Sequence, residues 1–128
     1  MDININLLET SIEQYNEMVV TKIPVFKGQD LECNVLFFNP GQYTKTHKLK
    51  NDEKIIVVLK GNGRIKIEEE EFDISSGSTV YIKKGQNHQI TNGKKSRMTI
   101  AEINKLNPEI TYMHNTIKKV DMEKSSRS

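Results

Sequence analysis

Apolar and charged residues alternate through the middle of the chain. RIKIE (64–68) and EFDI (71–74) set isoleucine or phenylalanine between charges, the pattern of strands with one face in water. Other short runs are rich in β-branched and aromatic residues: MVVTKI (18–23), ECNVLFF (32–38), KIIVVL (54–59), TVYI (79–82), HQIT (88–91) and RMTIAEI (97–103). Turn formers separate them, among them Pro24, Gly28, Pro40-Gly41, Gly61-Asn62-Gly63, Gly77, Gly85 and Asn92-Gly93. Short strands at near-regular spacing predict an all-β sandwich or barrel. The acidic run Glu68 to Glu71 is expected to form the solvated turn of the hairpin that RIKIE and EFDI make. IIVVL (55–59) is apolar at every position, so both faces of that strand need cover, one from the core and one from another sheet or chain.

Length and composition narrow this picture. The 128 residues suit one domain, which we expect over 15–106. Residues 1–14 are expected as a short helix or an extended arm, and 107–128 as a C-terminal segment with too few apolar residues to order most of it. Nineteen Lys and Arg stand against seventeen Asp and Glu, with the signs interspersed; no basic face marks a nucleic-acid partner. No stretch reaches the ~18 apolar residues of a membrane span, and the acidic, amide-rich start does not resemble an export signal. Cys33 is the single cysteine, which excludes an internal disulfide and a CxxC site and points to the cytoplasm. The abundance of Lys, Asn, Ile and Glu suits an AT-rich bacterial genome.

Two spaced motifs carry the chemistry. Gly41 is followed after five residues by His47, and the next strand closes at Gly61. Gly77 is followed after five residues by Lys83-Lys84-Gly85, then His88, then Asn92, with 15 residues between Gly61 and Gly77. In this order the segments resemble the two conserved motifs of the cupin family, over residues from about 18 to 104. The resemblance implies a double-stranded β-helix, a small jelly-roll-like barrel, with His47 and His88 pointing into its mouth. The first motif is also similar to the C-terminal cupin domain of bifunctional mannose-6-phosphate isomerase and guanylyltransferase enzymes, which favours a sugar-like ligand.

In metal-binding cupins, the resemblance implies, the first motif supplies His-x-His and a Glu seven residues before its closing glycine, and the second a further His. Here the second histidine position is Leu49 and the glutamate position is Lys54. We therefore expect no metal or other cofactor. A divalent transition metal is the disfavoured alternative, held by His47 and His88 with Glu53, Gln42 or Gln89; Glu53 lies one residue off the required strand face. Lys54 either enters the cavity or snorkels to solvent from the start of its strand, and Lys54→Met is expected to leave folding intact. His114 lies outside both motifs and is expected on the surface.

Two function classes follow. In the favoured one, His47, Lys54 and His88 anchor a small anionic or sugar-like molecule among Ile56, Val58, Ile90 and Met98. In the other, His47, Lys54 and Tyr43 are catalytic, as in metal-free sugar epimerases or isomerases, with a histidine taking a proton and the ammonium stabilising the enolate. Tyr81 is a second, less well placed acid. A metal-dependent dioxygenase or lyase is disfavoured by Leu49 and Lys54. Alternation puts Ile56 and Val58 inward and Ile55, Val57 and Leu59 outward, and the outward patch predicts a homodimer.

Overall fold

The β-branched runs become strands on both faces of one barrel. A computed structural model describes residues 15–48 and 53–105, and among these it forms nine strands and no helix. They are β1 (Thr21–Lys27), β2 (Leu31–Phe38), β3 (His47–Lys48), β4 (Lys54–Lys60), β5 (Asn62–Ile67), β6 (Glu70–Ser75), β7 (Thr79–Ile82), β8 (Asn87–Asn92) and β9 (Met98–Lys105). One sheet has the order β1-β2-β9-β4-β7 and the other β3-β8-β5-β6, every pair antiparallel. The sequence-predicted runs recur within a few residues. The two-residue β3 is too short to show as a run of its own. Residues 1–14, Leu49 and His114 lie outside the described residues, as does the whole of the expected C-terminal segment.

The sheets close on each other through side chains that share strand parity. Leu36, Phe38, Ile56, Val58, Ile82, Met98 and Ile100 from the first sheet meet Ile65, Ile74 and Ile90 from the second in one buried cluster. Each such burial contributes roughly 1.5–3 kcal/mol. Alternation divides β4 as expected: Ile56 and Val58 are buried, whereas Ile55 and Leu59 are exposed. The chain crosses between the sheets at Gly61, whose φ is +86° and where a Cβ would run into the Arg97 carbonyl; only glycine fits there. The hairpin turn falls at Glu68 and Glu69. It is not merely solvated, because the Glu68 carboxylate accepts the Asn87 N–H at 3.0 Å and ties the turn to β8.

Strand register divides the interior into two ends. Across β2, β9 and β4, Leu36, Ile100 and Val58 share one rung. On the next inward rung Asn34 and Glu102 stand beside Ile56, and on the one after that Glu32 and Asn104 stand beside Lys54. The core therefore turns polar over two rungs, while β3 and β8 bring His47 opposite His88.

Candidate functional site

The polar end centres on a buried ion pair. Lys54 Nζ lies 3.0 Å from Glu102 Oε1, with the two side chains 13% and 4% exposed. Lys54 therefore enters the interior and does not snorkel out. Its ammonium also lies 3.5 Å from His88 Nε2. The other Glu102 oxygen accepts from Asn34 Nδ2 at 3.1 Å and faces Lys22 Nζ at 3.6 Å. Asn104 Nδ2 donates to Glu32 Oε2 at 2.9 Å. Desolvation raises the Glu102 pKa, but the Lys54 and Lys22 ammoniums and the hydrogen bonds from Lys54 and Asn34 outweigh it and leave the carboxyl below its ordinary value. It is a carboxylate at neutral pH. A buried carboxylate stripped of its partner is costly, so the expectation that Lys54→Met spares folding does not survive this geometry.

His88 is held neutral. Burial first, then the Lys54 ammonium and His47, lower its pKa to about 4, against smaller opposing effects of the Gln86 backbone and Glu102. An ammonium facing Nε2 calls for a lone pair there, hence for the proton on Nδ1. The His47 and His88 ring centroids are 6.0 Å apart. His47 Nε2 and Asn104 Oδ1 are buried without a hydrogen-bond partner, so this end holds unused bonding capacity.

The remaining sequence candidates separate by depth. Ile56 and Ile90 are the next inward-facing residues after Lys54 and His88 and floor the polar end, whereas Val58 and Met98 sit deeper, all four buried. Tyr43 is 62% exposed, and its backbone bridges Thr91. Tyr81 lies on the outer side, where its hydroxyl donates to the Glu53 carboxylate, a bond that raises the phenol pKa. Glu53 also faces Lys105 at 3.8 Å. Gln42 is held by the Asn39 N–H and the Asn16 carbonyl, and Gln89 Nε2 by the Thr44 carbonyl. The three side chains considered as substitute metal ligands are thus engaged elsewhere.

Glu102, Asn34, Asn104, Glu32 and Lys22 had no part in the sequence-based site. The signal was present in β9, where Met98, Ile100, Glu102 and Asn104 share one face: a carboxylate in line with core residues marks a buried charge. A cavity of about 130 Å³ opens beside His88, bounded by Thr46, Lys66, Glu68 and Gln89. A larger one, about 360 Å³, lies at the far end of β5 and β8; its Arg64 is already held by Glu71 and Asp73.

A divalent metal does not fit the residues as they stand. Among the described residues no three His, Cys, Asp or Glu side chains gather into a candidate metal centre, and Lys54 places an ammonium between Glu102 and His88. A protonated amine is no ligand and repels a second cation.

Two antiparallel sheets closed into a barrel, with a polar cluster at one end, define a double-stranded β-helix protein. A family model for the cupin domain matches residues 34–104, more than half of the chain, and the protein belongs to that family. The uncharacterized protein MJ1618 of Methanocaldococcus jannaschii is 29% identical over 68 residues, 53% of this chain and 54% of that one; the match spans about half the length of this curated relative. TT1209 of Thermus thermophilus superposes with a TM-score of 0.72 at 22% identity, covering 79% of this chain and 97% of its own. A proposed sugar phosphate isomerase from Acidithiobacillus ferrooxidans superposes with a TM-score of 0.58 at 20% identity, covering 66% and 60%. Both structures show the shared fold. No helix among the described residues is long and apolar enough to cross a membrane.

Proposed function

We propose that the polar end of the barrel binds a small, polyhydroxylated, sugar-like molecule. The observation that carries this reading is the charge balance around the Lys54–Glu102 pair: Lys22 and Lys54 both meet Glu102, and Glu32, held by Asn104, adds a second carboxylate. A guest meets dipoles and hydrogen-bonding atoms instead of an unmatched charge. An anion would need a free cation, and the Lys54 ammonium is engaged. His47 Nε2 and Asn104 Oδ1 lack partners, and hydroxyl groups, which both donate and accept, satisfy either. The structural neighbour from A. ferrooxidans is named for a sugar phosphate, which agrees with the sugar part of this reading and not with its neutral charge. The single cysteine, Cys33, is a free thiol and suits a cytoplasmic setting.

A catalytic variant of the same reading is favoured by the Lys54–His88 contact. A neutral imidazole beside an ammonium can pass a proton at a carbon next to a carbonyl while the ammonium steadies the enolate. Mass spectrometry of molecules that co-purify with the protein, followed by thermal-shift titration with neutral sugars, sugar phosphates and simple anions, is the test. Neutral sugars are expected to raise Tm and His47→Ala to abolish the rise. Stabilisation by anions alone would overturn the reading. A product assay on the sugars that bind separates binder from isomerase.

A further inference from the structure

We propose that the cavity at the far end of β5 and β8 is a second binding site, one for a small molecule that carries a phosphate group. The cavity holds about 360 Å³, within the range of small-ligand pockets. One side is an outward-facing rung of the second sheet, where Thr91, Arg64 and Asp73 lie side by side, and another is the turn at 93–96 that leads from β8 to β9. Three observations carry the assignment. First, cations exceed anions here: Arg64, Lys94 and Lys95 line the cavity against Asp73. Lys94 and Lys95 are exposed and make no ion pair or hydrogen bond among the described residues, whereas Lys22 and Lys54 at the polar end are engaged by Glu102. The far end therefore has the free cations that an anion needs.

Second, the turn that carries the two lysines is held at both ends. Asn92, 2% exposed, donates from Nδ2 to the Ser96 carbonyl at 2.7 Å and to the Asn39 carbonyl at 3.0 Å, and the Gly93 carbonyl accepts the Gly41 N–H at 2.9 Å. A backbone fixed in advance lowers the ordering cost of binding. Asn92 also lines the cavity, and its Oδ1 is an acceptor without a partner. Third, the surroundings select for size. Arg64 donates to Asp73 from Nε at 3.2 Å and to Glu71 from Nη1 at 3.1 Å, and Glu70 adds a further carboxylate on β6. An extended polyanion laid across this face meets those carboxylates and is repelled, whereas one phosphate group at Lys94 and Lys95 stays clear of them. A phosphate monoester is close to a dianion at neutral pH and matches two ammoniums; the remaining volume admits a small organic body. His88 and Asn92 are four positions apart on β8, about 13 Å, so a guest at the far end leaves the mouth open and the proposal stands whichever molecule the mouth takes.

The test is titration of the ¹⁵N-labelled protein with glycerol 3-phosphate at pH 7.5 and ~150 mM NaCl, followed through its amide resonances, with glycerol as the uncharged control. The amides of Gly63, Thr91 and residues 93–96 are expected to shift and saturate with the phosphate ester and to stay in place with glycerol. Lys94→Ala with Lys95→Ala is expected to weaken binding at least tenfold. Lys83→Ala with Lys84→Ala removes the same charge from another exposed pair, and this variant and His47→Ala are both expected to bind as the wild type does. Absence of a saturable shift at the named amides, equal weakening by the two lysine pairs, or tighter binding of a long-chain polyphosphate would overturn the inference. Sugar binding at the mouth is read with His47→Ala and phosphate binding here with the lysine variants, so a failure of either leaves the other standing.

Discussion

His47 and His88 stand directly opposite each other across the β3–β8 ladder, yet they are not equivalent: His88 also faces the Lys54 ammonium, and its pKa falls to about 4. The unfolded chain binds a proton at this histidine near pH 6.5, the folded protein only near 4. Between those values the unfolded state holds more protons, so stability rises with pH across that window. The full contribution is present above pH 6.5 and is lost as pH falls to 4, amounting to at most about 3 kcal/mol. Thermal melts between pH 4 and 7.5 are expected to slope upward. His88→Gln is expected to flatten the slope; an unchanged slope would assign it to other groups.

Glu102 adds a second acid-sensitive contribution. Its folded pKa lies below the ordinary value, so its stabilisation is present above the unfolded carboxyl pKa and is lost as pH falls through the folded one. In His88→Gln the residual loss is expected to begin only below about pH 4.5. Adding Glu102→Gln is expected to remove it.

Lys54→Met is expected to destabilise the protein by on the order of 2–4 kcal/mol, because it strands a buried carboxylate. Lys22 and Asn34 stay within reach of Glu102 and keep the loss toward the lower end. Pairing Lys54→Met with Glu102→Met is expected to recover most of it, since two apolar groups replace two charges. Urea unfolding of the two single variants and the double one measures this. Additive losses would mean that the two residues do not interact energetically.

Ile55 and Leu59 are 39% and 49% exposed, and Tyr81, paired in register with Ile55, is 52% exposed. This patch on the outside of β4 and β7 is expected to join two copies of the chain. Sedimentation at micromolar concentration is expected to show a dimer, and Ile55→Glu a folded monomer. A wild-type monomer at that concentration would reject the dimer.

Gly61→Ala is expected to cost more than the ~1 kcal/mol of a positive φ alone, because the added Cβ also meets the Arg97 carbonyl. The Tm of this variant measures the cost. A loss no larger than that of Gly93→Ala, where a Cβ finds nothing within 4 Å, would show that the corner relaxes freely.

The barrel was legible because its strands are short, β-branched and bounded by turn formers, and because two glycine–histidine motifs fall in order. Facing distance was not legible. His47 and His88 are 41 positions apart in sequence, and the motif match alone brought them together. Glu102 escaped because RMTIAEI reads as a plain core strand when its charge is taken as the polar half of an alternation. Parity with Met98 and Ile100 makes it an interior residue. Lys54 was placed near the right point, but its bond to Glu102 depends on the β4–β9 register, which residue patterns on either strand alone do not specify. Without Glu102 in view, Lys54 looked free to hold an anion and dispensable for folding.

The partners in this cluster are far apart along the chain: Asn34 and Glu102 are separated by 68 positions, Lys54 and His88 by 34. No hairpin or other local segment contains the set, and β9, which carries Glu102, is the last strand described to be synthesised. Charges that neutralise one another in the finished barrel must therefore travel through the early stages of folding separately and hydrated. Their dehydration falls late, after the loop-closure entropy of the long-range pairings has been met. A chain cut before β9 would leave Lys54 without its carboxylate and open to water the interior whose burial keeps His88 neutral, so the titration of His88 doubles as a reporter on whether the last strand has docked.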